Sequence, residues 1–538
     1  MDSQLKRFTD LSEQNVVSLQ QQCPRKKGRN DIDSGVIAKI SRLKSGGIPR
    51  VLDLFSGCGG FSLGFLAAGF KIVGGVEIDP EAAVSHAMNF HGITPPLSKK
   101  DGFAYVRDIR FMEPEELVMG LGSEKTDEAI DVLIGGPPCQ SYARVGRSKL
   151  REVLEHPYAY RVDPRGNLYL RYLDYVRAIK PLIIVMENVP DVLNYGGHNV
   201  AEETAEALAE LGYDCRYTLL NSVFYGVPQM RERMFLIAYH HDLDAIPSFP
   251  EPSHFYDLPR GYHGARQVAL KHHNGKGSVP DKGFKYYVDP PVAVPDLPSA
   301  VTAEQALGDL LPITYHLKKV LKRGMRRPVE AVRYRRKRPS DYAVALRSWE
   351  CFDESDGILD HVIRHLPRDY RIFKRMRHGD QYPQAHIIAM RLFDQSVRRE
   401  ERKGRNVKRN SVVYKELWGK YVPPYDPGKF PNKWRKMEPN QPARTVMAHL
   451  GKDSYSHIHY DSDQARTISV REAARLQSFP DGFTFFGAMN ASFRQIGNAV
   501  PPLMARAIAG RIYCDVIQPL YSKDDNDIFM QIETATCR

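Results

Sequence analysis

Short apolar runs recur through the first 240 residues, and each ends in polar or glycine-rich sequence. Residues 50–55 (Arg-Val-Leu-Asp-Leu-Phe), 71–77, 131–134, 182–186, 214–221 and 234–239 are long enough for strands and too short for most helices. Between them, helical spacing predicts helices over 61–68, about 80–90, 167–179 and 202–211. Gly69 and Gly212 stop two of these. This alternation predicts an α/β sheet with its polar residues gathered at strand ends. A strand, the glycine loop 56–60, a helix and a second strand ending in Glu77 follow the dinucleotide-type order. Its phosphate-binding form would lead to a nicotinamide cofactor, which the later residues do not support. Helices are also predicted over about 4–22 and 31–44, within a polar surface extension, 1–47, that carries a basic patch at 24–29. From 241 to about 465 clean periodicity is lost. Ser469 and Glu472 then have the spacing of a capping box, and residues 497–502 open a helix to about Ile512. The last residues read as a loose tail.

Composition narrows the partners. A chain of 538 residues predicts two or three domains, and 42% apolar with 26% charged residues is ordinary for a globular protein. The net charge of +12 favours a polyanionic partner, nucleic acid first, over a merely basic protein. That charge is concentrated. Residues 318–338 hold eleven basic side chains, and further basic runs cover 368–377 and 398–409. One such run is usually a solvated face. Three in one irregular segment, with Tyr370 and Phe373 interleaved, suit a nucleic-acid surface better. The seven cysteines are scattered without a C-x-x-C pair, which argues against a zinc ribbon or a disulfide framework and suits a reducing cytosol. No run approaches the ~18 apolar residues of a membrane span. The first ten residues contain no apolar signal core.

The chemistry centres on Gly-Gly-Pro-Pro-Cys-Gln-Ser, residues 135–141. The glycines allow a sharp turn and the prolines stiffen the chain after it, so Cys139 is held at the carboxyl end of a strand, where open α/β sheets bind ligands. A lone cysteine is more often a small buried residue. The flanking residues and the other strand-end motifs favour a nucleophile instead. Glu187 follows another buried strand; alone, it would read as a salt-bridge partner. A long polar loop, 141–165, carries Arg144, Arg147, Lys149 and Arg151.

These motifs together resemble those of the DNA (cytosine-5)-methyltransferase family, of bacterial restriction-modification type. The matching stretches are DLFSGCGGFSLGF (53–65), GGPPCQS (135–141), MENVP (186–190), QMRER (229–233), REAARLQSFPDGF (471–483) and GNAVPP (497–502). They stand in the family's order and cover 50–240 and 465–512. Residues 241–465 match in position and size as the variable target-recognition segment, and Thr302 to Leu311 resembles the linker often found before it. The resemblance implies a Rossmann-like, S-adenosylmethionine-dependent methyltransferase sheet with an inserted target-recognition domain. The expected divisions are an extension (1–47), a first catalytic part (48–240), the recognition domain (241–464), a closing catalytic part (465–515) and a tail (516–538).

The implied chemistry is specific. Carbon 5 of cytosine is a poor nucleophile, and addition of the Cys139 thiolate at carbon 6 turns the ring into an enamine that attacks a methyl group. Glu187 matches the residue that holds ring N3 and the exocyclic amine, Arg233 the arginine at ring O2, and Arg231 its supporting partner. For the donor, Phe55, Gly57 and Gly59 match the binding loop and Glu77 the ribose contact. Asp108 and Ile109 match adenine contacts, and Pro137, Leu168 and Asn498 further donor contacts. No metal is implied. The expected substrate is double-stranded DNA bound by a monomer, with the target cytosine flipped out of the helix. A cognate restriction endonuclease is the expected functional partner, and the expected location is the bacterial cytoplasm at the nucleoid. Two rivals share this fold: the family that methylates cytosine in transfer RNA, and a catalytically idle DNA-binding regulator. The large basic insertion favours duplex DNA over the first, and the intact Cys139, Glu187 and Arg233 set argues against the second.

Overall fold

The structure is a computed structural model that describes residues 33–93, 95, 106–138, 168–195, 198–270, 284–318, 331–354, 357–409, 411–431, 433–452 and 455–521. Cys139, the loop 141–165, the helix predicted near 4–22, the basic patch at 24–29 and residues 319–330 of the longest basic run lie outside the described residues.

The apolar runs pair largely as their spacing predicts. In chain order the strands are β1 (Arg50–Leu54), β2 (Lys71–Val76), β3 (Val132–Gly135), β4 (Ile183–Asn188), β5 (Tyr213–Asn221), the short β6 (Gln229–Met230) and β7 (Glu232–His240). One six-stranded sheet runs β2-β1-β3-β4-β7-β5. The first four of these are mutually parallel, whereas β7 lies antiparallel to both β4 and β5. The parallel strands are covered on both faces, so Val132, Leu133 and Ile134 are inaccessible.

The helices that matter for the site are α1 (Ser34–Lys44), α2 (Gly60–Leu66), α3 (Pro80–His91), α4 (Leu168–Ile179), α5 (Val200–Glu210), α6 (Tyr382–Arg402), α7 (Val470–Leu476), α8 (Met489–Asn498) and α9 (Pro502–Ile512). Helices α4 and α5 cover one face of the sheet, and α1, α2 and α9 the other. Helix α9 crosses α2 closely because position 64 is glycine. A Cβ there would lie 2.3 Å from the Ala505 Cβ. Segments far apart in the chain thereby build one core.

The described part of the predicted extension is docked rather than loose. Asp33 caps α1, and the buried Lys39 ammonium donates to the Ile179 carbonyl at 3.0 Å. Burial pushes the Lys39 amine down to about 8. Arg42 pairs with the buried carboxylate of Asp131, which also accepts from the Arg50 backbone N–H at 2.7 Å. Helix α1 thus seals the end of the sheet at which β1 and β3 begin.

The segment after 240 is neither uniform nor irregular. The Tyr217 N–H donates to the Tyr286 carbonyl at 3.0 Å, so the chain still augments the sheet edge there. Leu307, Leu346, Trp349, Phe352 and Val446 share a core with Val470, Phe479, Phe483 and Ile496. A second core gathers Phe373, Tyr382, Phe393, Tyr455 and Ile458 around the inaccessible Trp434. The long α6 belongs to this lobe and corrects the irregular structure expected there. Its buried positions 382, 385, 389, 392, 393 and 396 follow helical spacing, and Pro383 sits in its first turn, where proline is tolerated. Its solvent face is dense in charge, which masks that period.

No helix among the described residues is long and apolar enough to cross a membrane.

Candidate active site

The carboxyl ends of β1 to β4 point the same way, so the segments after them meet along one edge. Strand β7 runs the other way, so its beginning reaches that edge. This explains why the acidic motif closes its strand and the arginine motif opens its own. Glu187 lies opposite Phe235 and Asn188 opposite Met234, which brings Arg233 beside the carboxylate. The Arg233 Nε is 2.9 Å from the Glu187 Oε1, with both side chains mostly buried. Burial lowers the Arg233 pKa, and the Glu187 charge opposes that shift.

The strand before Cys139 is fitted into the same place. A Cβ on Gly135 would lie 2.5 Å from the Leu54 carbonyl oxygen, and one on Gly136 would lie 3.1 Å from Glu187 Oε2. At 135, where the obstacle is backbone, only hydrogen fits; at 136 an added methyl would have to push the Glu187 carboxylate aside. The Asn188 Nδ2 donates to the Pro137 carbonyl at 2.8 Å. Gly136 and Pro137, shortly before Cys139 in the chain, are thereby held beside Glu187 and Asn188.

Arg231 does something different from Arg233. Its buried guanidinium donates from Nη1 to the Val446 carbonyl at 2.9 Å and from Nη2 to the Gly497 carbonyl at 3.1 Å. Burial lowers its pKa well below the usual value, and the nearby Arg233 charge adds to this. It ties the arginine motif to the segment around 446 and to the end of α8, and makes no hydrogen bond to Glu187. Gln229 assists: its Nε2 donates to the Leu476 carbonyl at 2.9 Å and its Oε1 accepts from the Val446 N–H at 2.9 Å. Gln477, a further partner of Gln229, donates to the Ile496 carbonyl at 3.0 Å. Sequence assigned no role to Asn188, Gln229 or Gln477. All three lie inside the recognised motifs, but their partners are set by folding.

The donor side lies at the ends of β1 and β2. Phe55, Gly57 and Gly59 have φ of 64°, 54° and 100°. A left-handed phenylalanine is strained, and such strain is concentrated at functional turns. The Glu77 carboxylate accepts from the Gly57 N–H at 2.8 Å and the Asp79 N–H at 2.7 Å. Burial raises the Glu77 pKa and these backbone donors oppose the rise. Beside it Ile78 is 55% exposed, an apolar surface suited to the flat face of a base and absent from the sequence-based set. Asp108 follows close by, because the Arg107 N–H donates to the Glu77 carbonyl at 2.9 Å. The Asp108 carboxyl is held below its ordinary range by hydrogen bonds from Arg110. Ile109 turns inward and its carbonyl accepts from Arg171 Nε at 2.8 Å. Leu168 opens α4 half-buried, and Asn498 ends α8 with its side chain exposed. An acceptor carboxylate for paired hydroxyls, an apolar wall and a second acid fit an adenosine with its ribose. Among the described residues no group of three or more His, Cys, Asp or Glu side chains is arranged to hold a metal ion.

This sheet, with Glu77 and the exposed Ile78 after one strand and a buried carboxylate–guanidinium pair at another, has the plan of an S-adenosylmethionine-dependent methyltransferase. The family model described as C-5 cytosine-specific DNA methylase matches residues 49–286 and 356–514, and the chain belongs to that family. Its activity is that of a DNA (cytosine-5-)-methyltransferase, with S-adenosylmethionine as methyl donor and DNA as substrate. The chain is 39% identical over 467 residues to M.OihORF3336P of Oceanobacillus iheyensis, a protein assigned to the type II methyltransferases, with 86% of this chain and 95% of that protein covered. It is 28% identical over 486 residues to the type II methyltransferase M.AgeI of Thalassovita gelatinovora, covering 86% of this chain and 99% of that one. The fold is similar to the crystal structure of a DNA modification methyltransferase encoded within an E. coli prophage. That likeness has a TM-score of 0.51 and 20% identity, and covers 87% of this chain and 99% of the other.

Proposed function

We propose that this enzyme methylates carbon 5 of a flipped-out cytosine in a specific duplex sequence, through a covalent bond between Cys139 and ring C6. The Arg233–Glu187 pair, 2.9 Å apart beside the entrance to the Cys139 loop, carries the proposal. Glu187 holds N3 and the exocyclic amine, where charge develops as the thiolate adds. Arg233 orients Glu187 and serves ring O2. Arg231 is a positioning residue that keeps both attached to the closing helices. S-adenosylmethionine supplies an electrophilic methyl group when bound. Glu77 holds the ribose hydroxyls, the 55–59 loop lies along the donor, and Asp108 faces the adenine; Pro137, Leu168 and Asn498 line the rest. After C5 has taken the methyl group its proton is lost and the Cys139 thiolate leaves C6. The type II relatives support a role as a modification enzyme; a cognate endonuclease as functional partner, a place in the bacterial cytoplasm at the nucleoid and action as a monomer on DNA complete the proposal.

Arg233→Ala is the direct test of the pair. It leaves the mostly buried Glu187 without its cation, a change that costs about 3 kcal/mol when a paired buried charge is truncated. Transfer of labelled methyl groups to duplex DNA should fall by about 10²-fold at saturating donor. A loss of less than about threefold, well under 1 kcal/mol, would remove Arg233 from the reaction.

Sequence choice is proposed to reside within 241–464, and the lobe around Trp434 offers it a rigid base. The exposed Arg371, Lys374, Arg375 and Arg377 project from that lobe, as do the basic residues after Arg398. Most single arginine-to-alanine changes there should weaken all duplexes alike and flatten the salt dependence of binding. A few should relax the methylated sequence at one position, at ~1–3 kcal/mol of lost discrimination. Bisulfite sequencing of a randomised duplex reads this. Unchanged choice across the lobe, with altered choice from a change in 50–240, reverses the assignment.

A further inference from the structure

Helix α8 touches both half-sites. At its carboxyl end the Gly497 carbonyl accepts from Arg231, behind the cytosine pair. Near its middle Arg494 reaches the opposite way, toward the donor side. Arg494 Nε donates to Asp79 Oδ2 at 2.9 Å, and its Nη2 lies 2.7 Å from both Asp79 Oδ2 and Glu81 Oε2.

Asp79 is fully engaged. Its Oδ1 caps α3 by accepting from the Glu81 and Ala82 N–H groups at 3.1 and 3.2 Å, which leaves Oδ2 for the arginine. Its own N–H donates to Glu77 Oε1 at 2.7 Å, while the Gly57 N–H holds Oε2 at 2.8 Å. The direction of the Asp79 N–H therefore decides where one oxygen of the Glu77 carboxylate sits. That direction is set from one side by the helix cap and from the other by Arg494. We infer that Arg494 is a positioning residue for the methyl donor: through Asp79 it aims the Glu77 carboxylate, and it makes donor binding depend on the closing segment. The inference rests on the reading of Glu77 as the ribose contact.

The geometry also separates this role from simple packing. Helix α8 has other ties to α3. Ser85 Oγ donates to Gln495 Oε1 at 2.6 Å, and the Phe486 N–H donates to Ser85 Oγ at 2.8 Å. Asn89 Nδ2 donates to the Thr484 carbonyl at 2.8 Å just before it. These hold the two segments together without the arginine. Its guanidinium is 43% exposed and the carboxylates it would leave, Asp79 and Glu81, are 26% and 37% exposed, so its loss strands no fully buried charge.

The test is calorimetric titration of S-adenosylmethionine into the full chain without DNA, repeated with S-adenosylhomocysteine. Arg494→Ala should weaken both about fivefold, the scale of a partly exposed ion-pair network acting on a neighbour. Arg494→Lys should recover most of that. In turnover, KM for the donor should rise by the same factor, with kcat and the duplex Kd nearly unchanged. Asp79→Asn keeps an oxygen for the helix cap and should reproduce the loss without truncating a side chain. The deciding measurement is the double variant. Glu77→Gln should weaken the donor by about tenfold or more, as for a lost charge-assisted contact, and adding Arg494→Ala should then cost nothing further. Unchanged donor affinity in Arg494→Ala and Asp79→Asn overturns the inference. So does a fivefold loss that persists in the Glu77→Gln background, because Arg494 would then act by another route. If Glu77→Gln alone binds the donor normally, the ribose reading fails, and the inference with it.

Discussion

Replacing Cys139 by serine should lower methyl transfer by at least about 10³-fold while leaving donor and duplex binding within about threefold, because the change removes the nucleophile and little else. Carbon 5 of cytosine gains electron density only after a nucleophile has added at carbon 6. A thiol near its ordinary pKa of ~8.5 is a few per cent thiolate at neutral pH, whereas a serine hydroxyl supplies almost no alkoxide. The site must therefore lower the cost of addition. In the proposed mechanism a Glu187 carboxyl at N3 would do so by taking up charge as it forms. The neighbouring backbone is fixed for this purpose by the Asn188 tie to the Pro137 carbonyl and by the tight passage of Gly136 past Glu187. A duplex carrying 5-fluorocytosine at the target gives a sharp readout, since fluorine cannot leave as the C5 proton does. The unmodified enzyme should run as a denaturant-resistant adduct on a gel and Cys139→Ser should not. An adduct in the variant, or near-normal turnover, would mean that another group attacks the ring.

The second large effect is expected far from the chemistry, at Arg475. Its guanidinium is inaccessible and sits between two buried carboxylates. Nε donates to Asp481 Oδ1 at 2.9 Å, and Nη2 donates to Asp481 Oδ2 at 2.6 Å and to Asp309 Oδ2 at 3.1 Å. Arg347 shares Asp309, and the Tyr334 hydroxyl donates to Asp481 at 2.7 Å. The cluster joins the linker around 309 and the segment 334–347 to the closing motif. Arg475→Ala removes the ion-pair partner of Asp481, and breaking a buried pair in this way costs about 3–5 kcal/mol, a large share of a typical total of about 5–15 kcal/mol. The urea midpoint should fall accordingly. The loss should also depend on pH. Burial alone would raise the Asp481 pKa, but Arg475 holds it below the ordinary value. In the native enzyme that stabilisation is present above the unfolded pKa of about 3.9 and lost as pH falls through the folded one. Without Arg475 only the Tyr334 hydroxyl and the Arg471 charge still oppose burial, so the deficit should shrink as the medium is acidified and Asp481 takes up a proton. An equal deficit at pH 5 and pH 8 would show that packing, not charge, is what the arginine supplies.

Much of the site is legible in the chain because it stands at the ends of strands. Buried parallel strands read as unbroken apolar runs, and Glu77, Gly136 and Glu187 are the residues at which those runs stop. The opposite case is α6, where buried positions at helical spacing are hidden among charges. The docking of helix α1 escaped for a related reason. Lys39 and Arg42 look like surface residues, yet one binds a carbonyl of the neighbouring chain segment and the other a buried aspartate. Composition rewards exposure for such side chains, and only a waiting partner justifies burying them.

By itself, the sequence determined the α/β plan, the family motifs and the residue types available to each step. Those depend on local periodicity and on turn-forming residues, which act over a few positions. Tertiary structure alone decided which distant groups meet. It reversed β7 so that Arg233 stands beside Glu187, and it gave Arg231 the Val446 and Gly497 carbonyls as partners. It divided the insertion between a shared core and the lobe around Trp434, and it brought Arg494 to Asp79. Each of these is a pairing between residues far apart in the chain. Local preference cannot specify such a pairing, because its free energy exists only once both partners have been desolvated in the same place.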